Sequence, residues 1–159
     1  MKQYRFDTFS IKLEKTAGRL HDCTNIMTSP KAVSDVLRDV VGLHEYPTER
    51  FVVLSLSTKN KIIGVDTLHV GGIASSLVDA RTVFQTALLH NASNIIIAHN
   101  HPSGDLTPSP EDISVTDRLV ELGYLHDIPV HDHFIVTHSD DNPDGFAYIS
   151  MREQSYSRF

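Results

Sequence analysis

Two short apolar runs, Phe51-Val52-Val53-Leu54-Ser55-Leu56 and Ile95-Ile96-Ile97-Ala98, constrain this chain most. They are rich in β-formers, lack polar alternation and are too short for buried helices, so they read as buried strands. Three segments carry apolar residues at helical spacing. The first opens at Ser29-Pro30, an N-cap followed by proline at the first helical position. It runs through Ala32, Val33, Val36, Leu37 and Val40 and stops at Gly42. The second covers 79–90, with Val83, Phe84, Ala87 and Leu88 on one stripe. Ser109-Pro110 repeats the cap and opens the third, through Ile113, Thr116, Leu119 and Val120 to Gly123. Lys59-Asn60-Lys61 is a polar turn that makes 51–56 and 62–70 a hairpin, and 129–136 and 146–150 read as the last strands. Strands alternating with helices predict an α/β fold with a mixed sheet.

The 159 residues suit one domain, 29–159, preceded by an arm, 1–28, whose loose alternation at 4–13 predicts an edge strand. Hydrophobic residues at 40% and charged residues at 21% describe a folded globular chain rather than a disordered one. The longest aliphatic stretch, Ile95 to Ala98, is far short of a membrane span, and MKQYRFDTFS has no apolar run of a secretory signal. A cytoplasmic protein without membrane contact is expected. The lone cysteine, Cys23, excludes an intramolecular disulfide and a Cys-based zinc site. With 14 Lys+Arg against 20 Asp+Glu the formal charge is −6, so strong direct nucleic-acid binding is not expected.

Of the 10 histidines, His21, His44, His69, His126 and His138 read as scattered surface polarity. His99 and His101 do not. Successive strand side chains point to opposite faces, so residues i and i+2 at the end of the 95–98 strand share one face. Pro102 and Gly104 then turn the chain, and Asp112 arrives at the third position of the next helix. Two imidazoles and one carboxylate form the set zinc uses when a fourth position stays open for water. Mg²⁺ or Ca²⁺ would want more oxygens. Each feature alone has a structural reading: Asp112 suits a capping box with Ser109, and histidines near a strand end bond loop backbone. Their convergence favours a metal. His131 and His133 form a second i, i+2 pair, read as a polar strand near the site rather than a second metal site. His44-Glu45 begins an HExxH pattern, but Thr48 stands at its closing position.

His99-x-His101-Pro102, six residues, then Ser109-x-x-Asp112 resembles the JAMM motif of the JAB/MPN metalloprotease superfamily. The longer string AHNHPSGDLTPSPEDISVTDRLVELG closely resembles the RadC family, bacterial proteins named for DNA repair. The resemblance spans roughly residues 28–153. It implies a cytidine-deaminase-like three-layer α/β/α sandwich, zinc on His99, His101 and Asp112, and an upstream catalytic glutamate that matches Glu49. Longer RadC proteins carry an N-terminal helix-hairpin-helix segment, and the resemblance leads to the expectation of a short form without it. On residue grounds alone Glu111 and Glu45 compete with Glu49. Ser109 has two readings, cap alone or cap and oxyanion donor, since a hydroxyl can accept a helix N–H while donating its own proton.

The reading that follows is a zinc hydrolase of a peptide or isopeptide bond, acting on a protein or peptide, with homo-oligomerisation open. The alternative is a non-catalytic or DNA-repair-associated module of the same family. A zinc nucleobase deaminase is excluded, because it needs a Pro-Cys-x-x-Cys ligand pair.

Overall fold

The computed structural model describes residues 26–71 and 78–159; the expected edge strand at 4–13, His21 and Cys23 lie outside them. Helix α1 (Pro30–Val36) starts where Ser29 Oγ accepts the Ala32 N–H at 3.2 Å. It widens into a π turn, Leu37–Val41, and ends at Gly42, whose φ of 61° is the left-handed geometry a helix stop needs. Strands β1 (Arg50–Leu56) and β2 (Ile62–Val70) form the antiparallel hairpin. Helix α2 (Ala80–Leu89), β3 (Asn94–Asn100), α3 (Pro110–Leu125), β4 (Val130–His138) and β5 (Phe146–Ser150) follow.

The sheet order is β2-β1-β3-β4-β5. β3 and β4 are parallel, joined by α3 as a crossover, while the other neighbours are antiparallel. Alternate residues of the central strands feed two cores. Phe51, Val53, Ile95 and Ile97 pack under α2 and α3 with Val83, Phe84, Val115 and Leu119. Val52, Leu54, Ile96, Ala98 and Phe134 pack on the other side with Val33, Val36 and Leu37 from α1 and its π turn. The result is the three-layer α/β/α sandwich.

Two local readings of the sequence are corrected. Gly123 does not end α3, which continues to Leu125. A Cβ on Gly123 would stand 2.8 Å from the Ile128 carbonyl oxygen and 3.2 Å from Val130 N, so the glycine lets α3 lie against the chain entering β4. The reversal falls to Asp127, with φ 56°. His131 and His133 do not share a face. Ile95 pairs with Val130 but Ile96 pairs with Asp132, leaving His131 as the extra residue of a bulge. His131 borders a hollow with Met27, Ile96 and Phe134, whereas His133 faces α3.

Candidate metal centre

β3 delivers His99 and His101 to the α3 side at its C-terminal end. Gly104, at φ 87°, turns the chain, and its N–H reaches the His101 carbonyl at 3.3 Å. The capping box then fixes Asp112: Ser109 Oγ accepts the Asp112 N–H at 3.1 Å, while Asp112 Oδ2 accepts from Ser109 N–H at 2.8 Å and Ser109 Oγ–H at 2.7 Å. The two Nε2 atoms of His99 and His101 are 2.9 Å apart. Asp112 Oδ1 is 3.3 Å from His99 Nε2, and Oδ2 is 3.5 Å from His101 Nε2. Ligands about 2.0–2.1 Å from a tetrahedral zinc stand roughly 3.3 Å from one another, so these separations suit one face of its coordination sphere. Among the described residues this is the one group of three or more His, Cys, Asp or Glu placed to hold a metal ion.

Hydrogen-bond partners decide where the protons are. Thr116 Oγ1 is 2.6 Å from the Asp112 carbonyl, which only accepts, so the hydroxyl proton lies there. Thr116 Oγ1 therefore accepts from His133 Nδ1–H at 2.6 Å. Neutral His133 then accepts at Nε2, and His99 Nδ1–H donates to it at 2.8 Å. His101 Nδ1–H donates to the Asp105 carbonyl at 2.6 Å. Both remaining Nε2 atoms carry lone pairs and point at each other and at a carboxylate. Such a triangle of acceptors could hold a cation. Burial and the neighbouring His99 press His133 well below the usual imidazole range, which keeps it neutral. Burial likewise lowers His99 against the pull of Asp112. Burial lowers His101 too, but the Asp112 carboxylate and the Asp105 carbonyl outweigh it and the net shift is upward. Burial would raise Asp112, yet the two imidazoles and Ser109 hold it far below the usual carboxylate range.

Glu49 enters through strand register. Phe51 pairs with His99, so Glu49, two residues earlier, comes onto the same face beside His101. A cavity of about 220 Å³ is lined by Glu49, His101, Ser103, Asp105, Thr107, Ser109 and Asp112. The competing carboxylates are not brought in: Glu111 and Glu45 are exposed and do not line it. Among the histidines read as surface polarity, His44 is half-buried edge-on to Phe146, and His126 lies tilted over Phe84 at 4.9 Å between ring centres.

The family model of the RadC-like JAB domain matches residues 27–156. This chain belongs to the RadC-like JAB domain family. Similar proteins include the UPF0758 protein TTE0897 of Caldanaerobacter subterraneus, 43% identical over 133 residues, which are 84% of this chain and 53% of that protein. A UPF0758 protein of Moorella thermoacetica is 45% identical over 111 residues, 70% of this chain and 48% of its own. One from Methanosarcina acetivorans is 40% identical over 116 residues, 73% and 48% respectively. The chain spans about half the length of these curated relatives. Within this RadC-like domain, Thr116 and the separate role of His133 escaped the sequence reading. Only the β3–β4 register, which sets Ile97 beside His133, could have found them. No described helix is long and apolar enough to cross a membrane.

Proposed function

We propose that this RadC-like JAB domain is a zinc-dependent hydrolase of the JAMM type, cleaving a peptide or isopeptide bond of a protein or peptide substrate in the cytoplasm. The observation that carries the reading is the convergence of two lone-pair Nε2 atoms and a buried carboxylate beside an open cavity whose wall His101, Asp112 and Glu49 share. His99, His101 and Asp112 would hold the ion. When bound, zinc supplies the Lewis acidity that makes water a nucleophile near neutral pH. Glu49 takes a proton from the attacking water and returns it to the departing amine. Ser109 holds Asp112 and caps α3. Its single Oγ–H goes to Asp112 Oδ2, so donation to a developing oxyanion requires the hydroxyl to turn from the carboxylate towards the substrate. The −6 charge supports a protein rather than a nucleic-acid substrate.

The test is chelator-sensitive cleavage of a peptide and isopeptide library by the zinc-loaded protein. Glu49→Gln is expected to keep metal and fold but lose about 10²–10⁴-fold in rate, since an amide cannot take the proton. Asp112→Asn is expected to weaken metal binding, and Glu111→Gln to be silent. Activity that survives Glu49→Gln and disappears in Glu111→Gln would move the base to the helix.

A further inference from the structure

Asn100 stands between the two ligand histidines and points to the opposite side of β3. It is 1% exposed, and its carboxamide serves one segment only. Nδ2 donates to the Tyr46 carbonyl at 3.0 Å and to the Thr48 carbonyl at 3.2 Å. Oδ1 accepts the Arg50 N–H at 2.7 Å. The amide orientation is unambiguous, because two acceptors face Nδ2 and one donor faces Oδ1.

The two contacts around Glu49 have a definite consequence. The Thr48 carbonyl belongs to the peptide before the Glu49 Cα, and the Arg50 N–H to the peptide after it. One side-chain amide thus holds both peptide planes that flank Glu49, which restrains its φ and ψ. The Glu49 carbonyl is held from the other side by Gly71 N–H at 2.8 Å. On the β3 side the backbone register stops at Phe51 and His99, so Asn100 continues the attachment there with a side chain. Alternation along β3 does the rest: His99 and His101 turn towards Asp112 while the residue between them grips the segment that carries the carboxylate.

We propose that Asn100 is a positioning residue that fixes Glu49 relative to the metal ligands. The inference rests on the reading of Glu49 as the group that meets water and substrate beside the metal. Asn100 touches neither. Its removal leaves His99, His101 and Asp112 in place but takes away the hold of one side chain on both peptides that flank Glu49.

The experiment uses the zinc-loaded protein and acetohydroxamic acid, a zinc-binding carbonyl mimic whose hydroxyl proton a neighbouring carboxylate can accept. Affinity is measured by calorimetry for wild type, Glu49→Gln, Asn100→Ser and the double variant, with zinc content determined in each. Glu49→Gln is expected to weaken binding about tenfold, the scale of one charge-assisted hydrogen bond. Asn100→Ser is expected to approach that loss with zinc content unchanged, and the double variant to bind no more weakly than Glu49→Gln. Wild-type affinity in Asn100→Ser, or losses that simply multiply, would overturn the proposal. Wild-type affinity in Glu49→Gln would overturn the reading of Glu49 and this inference with it. Should Asn100→Ser fail to fold, amide exchange in the wild type decides: the Arg50 N–H is expected to be as protected as those within β1, and exchange at a loop rate would contradict the clamp.

Discussion

Thr116 commits two imidazoles through one proton. Because its hydroxyl points at the Asp112 carbonyl, His133 must donate from Nδ1, and His99 must present a lone pair at Nε2. Thr116→Val keeps the shape and removes the acceptor for His133 Nδ1–H. Zinc affinity is expected to fall about 10–100-fold, the usual cost of losing a group that orients a ligand. Thr116→Ser is expected to retain it. Competition with a chromophoric chelator measures both, and equal affinity in Thr116→Val would show that the chain of protons does not act on the metal. The cluster of His99, His101 and Asp112 was legible in the sequence, since an i, i+2 pair on a strand and an N3 carboxylate are local patterns. Thr116 and His133 were not, because their contact depends on how β4 aligns with β3. Glu49 was reached by resemblance alone, and the pairing of Phe51 with His99 supplies the physical reason for its place.

At the scale of elements, caps and apolar spacing carried the reading: both Ser-Pro starts, the Gly42 stop and the hairpin lie where the sequence puts them. What failed needed knowledge of a neighbour. A glycine near a helix end reads as a stop, yet Gly123 is there for the backbone of Ile128 and Val130. Gly123→Ala gains about 1 kcal/mol of helix propensity but forces an overpacked contact of about 1–3 kcal/mol. A net loss of stability is expected in urea unfolding, and a higher midpoint would return Gly123 to a role as an ordinary helical residue. The bulge at His131 was equally hidden, because counting alternate residues assumes a regular pleat.

For the whole molecule, the buried histidines set how stability follows pH. His99 and His133, and the less buried His44 and His131, are all lowered, first by desolvation. Unfolding returns each to an ordinary affinity for protons, so the unfolded chain binds more protons once pH falls below about 6.5 and the fold loses stability. His101 and the buried Asp132, both raised in the fold, act in the opposite sense, two groups against four. The melting temperature of the metal-free protein is therefore expected to drop between about pH 7 and 5, and a flat or rising profile would contradict this. The zinc-loaded protein should fall more steeply, because His99 and His101 bind only unprotonated. The fold class was legible at this scale from short apolar strands between helices, whereas the overall charge bears on partners alone. The most direct test of the central claim is the zinc content of the purified protein, beside that of the His99→Ala/His101→Ala double variant. About one zinc per chain in the wild type and none retained by the variant is the result expected; stoichiometric zinc in the variant would contradict it.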